Sequence, residues 1–250
     1  MGAKKISVAF LFFFSICSFS KSFGQATAAK YELGANLGAY VYQGDLSPRR
    51  WGSLKTIKPG VGISFARIIS PSFSLGAMFN IFSLKGDETK FSTPEYRQFR
   101  AFKFKSKMKE LSLLAKWNVL GSGTYETKFE PYVFAGAGLA FVNTTIDYSA
   151  FNASYFGDGT AIAAGLATDA AKAARKTIPV VPAGLGLRYN LSSSLALNLE
   201  STYRFTGSDY IDGFSVAANP GKNDHYFSQT VGISKKLGRK NKTGCPVMVY

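Results

Sequence analysis

Cysteine, histidine and charge are all scarce in this chain. Two cysteines and one histidine in 250 residues supply no Cys/His set with metal-ligand spacing, and neither a glycine-rich phosphate loop nor a paired-carboxylate motif occurs. No cofactor or metal is expected. Acids are the rarer sign, 15 against 30 Lys and Arg, for a formal net charge of +15. Charged residues make up 18% and apolar residues 46%, a balance that excludes both a disordered tail and a helical membrane bundle. Long apolar runs are missing as well: after the first 24 residues none approaches the ~18 residues of a spanning helix. Such a chain enters a bilayer by strands or not at all.

Glycine (25), phenylalanine (22) and tyrosine (13) are abundant instead, an enrichment that favours strands and turns over helices. Residues 1–24 read as a secretory signal peptide: Lys4 and Lys5, the apolar run Ile6 to Ile16, then Ser22 and Gly24 around Phe23. Its apolar core is about half the length of a spanning helix. Ile16 stands directly before Cys17, where lipoprotein processing wants a small residue. Cleavage is expected near Gln25 or Thr27. The exported chain loses Lys4, Lys5 and Lys21 and stays basic, and export removes nucleic acid as its partner. Its one remaining cysteine is Cys245, which in an oxidising space either takes an intermolecular partner or sits unpaired in a frayed tail.

Alternation with a period of two recurs along the mature chain. Tyr31, Leu33, Ala35, Leu37, Ala39 and Val41 share one face; Val61, Ile63 and Phe65 repeat it, then Phe73 to Ile81, Leu111 to Val119, Val133 to Phe141, Val181 to Tyr189 and Leu195 to Phe205. An eighth segment, Phe227, Val231 and Ile233, is interrupted by Gln229. The links alternate too. Those near 70–72, 120–128 and 191–194 are short or moderate, and those near 43–58, 85–105, 143–177 and 206–223 are long. An even strand number with short turns at one end and long loops at the other predicts an all-β, eight-stranded antiparallel transmembrane barrel of the outer membrane, with short turns and termini in the periplasm. Its expected organisation is a signal peptide over 1–24, a barrel over 25–237 and a periplasmic tail over 238–250.

The face opposite the apolar one carries Glu32, Glu110, Lys116, Glu130, Arg188, Glu200 and Arg204. In so narrow a barrel these are expected to pair into a luminal charge network that plugs the interior, a structural role being favoured over an ion pathway. Tyr31, Trp117 and Tyr189 are placed for one aromatic girdle, and Phe79, Phe141, Tyr203 and Phe227 for the other. Arg49, Arg50, Lys103, Lys105, Lys107 and Lys109 are candidates for contact with outer-membrane lipid and anionic lipopolysaccharide, or simply for snorkelling. An alanine-rich stretch over 160–176 predicts a short loop helix, with Thr168 as a cap and Arg175 and Lys176 in the last turn. Enzymatic activity is not expected: lipid deacylases of this size carry a His-x-Ser pair, and Phe227 stands two residues after His225. Asp209, Asp212 and Asp224 read as solvated loop acids.

The chain resembles small Bacteroidota outer-membrane barrels that include PorG, a component of the type IX secretion system. The resemblance rests on Gly38-Ala39-Tyr40-Val41-Tyr42-Gln43-Gly44-Asp45-Leu46, on Glu130 to Gly138, on Gly184 to Tyr189, on Thr206 to Gly213, and on the tail at Cys245-Pro246. It implies a non-enzymatic anchor that associates with a periplasmic ring built of a PorK-like lipoprotein and its PorN-like partner, with Cys245 as the point of contact or of an intermolecular disulfide. The other reading is a general OmpA-like structural or adhesion barrel whose outer loops bind a surface ligand.

Overall fold

A computed structural model describes residues 31–47, 52–121, 127–157, 160–171, 175–218 and 223–237. The signal peptide, Arg49 and Arg50, and the tail with Cys245 lie outside the described residues. Eight strands occur in order: β1 (Tyr31–Gln43), β2 (Lys58–Ser70), β3 (Phe73–Asp87), β4 (Lys103–Asn118), β5 (Phe129–Asp147), β6 (Arg175–Asn190), β7 (Leu195–Thr206) and β8 (His225–Leu237). Helix α1 (Tyr96–Arg100) precedes β4 and α2 (Thr160–Ala171) precedes β6. Each strand pairs antiparallel with the next, and β1 closes on β8 with Tyr31 opposite Leu237 and Gln43 opposite His225. Closure leaves no edge to be managed. The protein is a closed eight-stranded antiparallel β-barrel, as the alternation predicts.

The outward face explains why this sequence closes that way. Leu37, Ile63, Leu75, Leu113, Val133, Leu185, Leu199 and Val231, one from each strand, point outward and are exposed. Leu113 is 69% and Leu185 63% exposed. A water-facing surface forfeits roughly 1.5–3 kcal/mol for each such side chain left unburied, and a belt around a whole barrel far exceeds the few hundred Å² of a soluble protein's largest apolar patch. The belt is complementary to hydrocarbon, not to water. Gln229, which interrupts it, has a partner: its amide donates to Ser201 Oγ at 3.0 Å across a register pair.

Towards the long-loop end, β3, β4, β5 and β6 run well past the stretch where apolar residues point outward, and there the polarity of the alternation inverts. Ile81, Lys109 and Phe141 are register partners and mark the level. Beyond it Leu84, Phe104, Met108, Val142 and Ile178 point inward and are buried, while Lys85, Lys105, Lys107, Asn143 and Thr145 point outward. Below this level the barrel is apolar outside and polar inside; above it the arrangement is that of a water-soluble barrel. The four outward lysines of β4, Lys103, Lys105, Lys107 and Lys109, therefore follow the regular alternation of this upper stretch.

The upper interior is an apolar core that the long links complete. Ile211, Phe214 and Ala217 of the β7–β8 link and Leu166 of α2 pack against Tyr40, Leu84, Phe102 and Tyr226, with Phe102 and Phe214 stacked 4.5 Å apart. The loop helix differs from expectation. Thr168 is inside α2 and donates to the Ala164 carbonyl at 2.9 Å, and the helix ends at Ala171. Arg175 and Lys176 instead open β6, opposite Asn143 and Val142, and the Lys176 ammonium lies 3.6 Å from the Tyr210 ring centre. Strand pairing and the ring outcompete the helix end for these two residues. What fixes α2 is Asp169, whose carboxylate accepts from the backbone of Ser215, Val216 and Ala217 at 3.0–3.2 Å. Gly165 permits that approach, since a methyl group there would press on the backbone of Ala217.

Candidate functional site

The seven charged residues read as luminal all project into the barrel, and ion pairs join them in three tiers. Nearest the short-turn end, Arg188 donates to both oxygens of Glu32 at 2.6 and 2.8 Å, and lies 3.7 Å from Glu130. Asn118 and Asn190 donate to the Glu130 carboxylate at 3.1 and 2.8 Å. In the second tier Lys116 and the Tyr132 hydroxyl both reach Glu200 Oε1 at 2.7 Å. In the third, Arg204 Nε is 2.7 Å from Glu110 Oε2, which also accepts from the Tyr226 hydroxyl at 2.7 Å. The Arg204 guanidinium sits 5.4 Å from the ring centres of both Tyr40 and Tyr226, so the deepest cation is held by a carboxylate and by aromatic faces. Each of the four carboxylates has a cationic partner, and Glu110, Glu130 and Glu200 each accept from at least one neutral donor as well, as a buried charge requires.

These tiers and the apolar plug above them fill successive levels of the interior. Beside Glu200 and Lys116 lies a cavity of about 20 Å³. Tyr132 and Phe134 fill the lower bore by lying over Gly186 and Gly184, their register partners on β6. Met78 and Leu114, the latter an apolar exception on the polar face, pack with them.

Within the plug is a polar cluster that sequence reasoning missed. Asp212 and Asp224, expected in solvent, are 1% and 0% exposed. The Tyr42 hydroxyl lies 2.6 Å from Asp212 Oδ2 and 2.5 Å from Asp224 Oδ1. One hydroxyl has one proton to give. Tyr42 therefore donates to one carboxylate, and the other carboxyl must hold a proton and donate to the tyrosine oxygen. Backbone donors complete the arrangement: Ile211 and Asp212 N–H to Asp224 Oδ2 at 3.0 and 3.3 Å, Phe214 N–H to Asp212 Oδ1 at 2.8 Å. Burial pushes the Asp224 carboxyl up to about 7; burial first, and then the charge of Asp224, push Asp212 well above the carboxylate range. Asp45 and Asp209 add negative charge nearby. Gly44 makes the meeting possible, because a methyl group there would collide with both the Tyr42 hydroxyl and the Asp224 carboxylate. Glycine at 44 lies in the quoted first-strand motif, but nothing local signals that its neighbour Tyr42 faces two aspartates about 170–180 positions away.

A second buried ion cluster ties the β3–β4 link together. Glu88, fully buried, receives Arg97 at 3.1 Å and Arg100 at 2.9 and 2.5 Å, and Arg97 also reaches the Asp45 carbonyl at 3.1 Å. The described parts of the links thus form a cap over the barrel. His225 stands at the start of β8, its Nδ1 accepting from Thr206 N–H at 3.3 Å, with the rings of Tyr203 and Phe205 beside it. Phe227, two residues on, offers no nucleophile there. Among the described residues no three His, Cys, Asp or Glu side chains are grouped to hold a metal, and no helix is long and apolar enough to cross a membrane.

Solved structures of similar shape are small barrels. Neisserial surface protein A matches with 13% identity over 83% of this chain and 97% of its own, at a TM-score of 0.48. Ail, the attachment invasion locus protein of Yersinia pestis, matches with 10% identity over 83% and 98%, at 0.45. The outer membrane protein OprG of Pseudomonas aeruginosa matches with 12% identity over 85% and 98%, at 0.43. No curated protein matches the chain. The pattern of one sequence family does match, over residues 8–233, and the chain belongs to that family, DUF6089, described as a domain of unknown function.

Proposed function

We propose that this protein is a non-enzymatic outer-membrane barrel that anchors or organises a larger assembly, with its short turns and termini in the periplasm and its cap outside. The observation that carries the reading is the sealed lumen: three ion-pair tiers and an apolar plug fill a barrel whose exterior belt is complementary to hydrocarbon. A scaffold of this kind offers two rigid ends and no conduit. Purified protein in planar bilayers is expected to give no steady conductance, and steady ohmic channels would refute the anchor reading. Mature polypeptide that stays folded and soluble without detergent or lipid would refute the membrane placement itself.

The assembly we infer is the periplasmic ring of type IX secretion, a PorK-like lipoprotein with its PorN-like partner, reached through the tail 238–250. Support comes from the sequence resemblance and from Cys245 as the lone thiol of the mature chain. Detergent-solubilised membranes should yield the ring proteins with the barrel. Cys245→Ser should abolish a slower-migrating species on non-reducing gels, and an unchanged pattern removes the disulfide. The cap built by the described parts of the links favours a second reading, adhesion through the long loops: secretion left intact while surface binding is lost on loop deletion would select it.

A further inference from the structure

We propose that the outer wall of β2 to β6 carries a binding site for a phosphorylated acyl lipid of the leaflet on the long-loop side. The site rests on the transmembrane reading above, and narrows the expected lipopolysaccharide contact to particular residues. At the level where polarity inverts, the wall encloses a concavity of about 840 Å³. Val61, Ile81 and Phe141, all exposed, supply its apolar floor, and Lys107, Lys109 and Asn143 line it with them. Lys109 stands in register between Ile81 and Phe141, Lys107 between Ser83 and Asn143, and Lys105 between Lys85 and Thr145. Successive ammonium groups thus rise ~7 Å apart along one strand face, from the edge of the hydrocarbon belt upward.

Among the described residues no acid pairs with Lys105, Lys107 or Lys109. The acids of this face stand higher: Asp87 pairs with Lys85 at 3.1 Å, and Lys103 lies in register between Asp87 and Asp147. No carboxylate is the register partner of Lys105, Lys107 or Lys109, and no ion pair joins any of them among the described residues. A ligand matching both halves has an acyl chain to lie on the floor, continuous with Leu111 and Leu113 below, and a phosphate to meet two or three lysines as point charges. A soluble polyanion would leave the floor uncovered, and a zwitterionic lipid would leave the lysines unmatched.

Native mass spectrometry of the full chain in detergent tests this with three probes: bisphosphorylated lipid A, the same lipid stripped of phosphate, and inorganic phosphate. A lysine beside an anionic lipid contributes roughly fivefold, so a one-to-one adduct favoured at least about tenfold over the dephosphorylated lipid is expected. K105Q/K107Q/K109Q should reduce the preference to about twofold or less, while K235Q, at the opposite end, should keep it. Equal binding of the two lipids, an unchanged preference in the triple variant, or displacement by inorganic phosphate at matched ionic strength would overturn the site. Heat-modifiable gel migration of the same samples reports the barrel separately. A barrel that does not form in detergent refutes the transmembrane reading and the site together, whereas a formed barrel without lipid preference refutes the site alone.

Discussion

Raising the pH should loosen the β7–β8 link, and the Asp212–Tyr42–Asp224 cluster sets the size of the effect. Below the ordinary carboxylate value of 3.8 both aspartates are protonated folded or unfolded, and their contribution to stability is complete. The folded pair holds a proton up to about pH 7 that the unfolded chain has released by about 4. Stability contributed by the pair is therefore lost as pH rises through that interval and is gone above it. The interval from 3.8 to about 7 corresponds to roughly 4 kcal/mol for Asp224. That is a ceiling, because the link can relax and admit water once the charges repel. Hydrogen exchange of residues 207–218, corrected for the intrinsic base-catalysed rate, should show protection falling by up to roughly a hundredfold between pH 5 and 8. Asp224→Asn should flatten the profile: its amide oxygen can still accept from Ile211 and Asp212, and its NH₂ can donate to Tyr42, which then donates to ionised Asp212. Protection that does not change with pH, or an Asp224→Asn variant that keeps the wild-type slope, would refute the shared proton.

Two further substitutions separate the lumen from the cap. Glu110→Gln leaves Arg204 buried without its carboxylate, and should cost about 3–5 kcal/mol in denaturant unfolding followed by Trp117 fluorescence. The double variant E110Q/R204M should recover most of that loss, and if it does not, packing and not charge holds the third tier. Asp169→Ala removes the acceptor for three backbone donors and should raise exchange in α2 and in residues 215–217 by about 1–3 kcal/mol equivalent, with the strands unaffected. A global loss of barrel stability in that variant would show that the cap is not an independent unit.

The barrel was legible in the sequence because its lower half obeys a single rule. Where hydrocarbon lies outside, each strand must be apolar on one face over several residues, and Leu111 to Val119 or Leu195 to Phe205 display that without ambiguity. Pairing of Glu32, Glu110 and Glu200 with Arg188, Arg204 and Lys116 followed from the narrow bore, although which acid meets which base depends on register and shear that no single strand records. The cap was not legible. Tyr42, Asp212 and Asp224 are brought together by barrel closure across most of the chain length, and Asp169 works through a helix that its sequence also allowed to be capped at Thr168 and to run on to Lys176.

Strand length shows the same division most plainly. From Lys103 to Lys109 the strand alternates as regularly as the segments below it, but with lysine in the positions that leucine occupies further on and with Phe104, Ser106 and Met108 between them. Read against a hydrocarbon-facing pattern, those lysines are tolerated exceptions near a strand end. Once Lys109 is placed beside Ile81 and Phe141, they become the regular outward face of a barrel whose polarity has inverted, and the inward Phe104 and Met108 become its core. The period of two was present throughout. The medium on each side was what changed, and a one-dimensional pattern cannot report the depth at which water replaces lipid. That boundary also decides chemistry: the apolar plug and the protonated aspartate cluster lie on the side where the outer face is polar, and the lysines stand at the level where the outer face turns from apolar to polar.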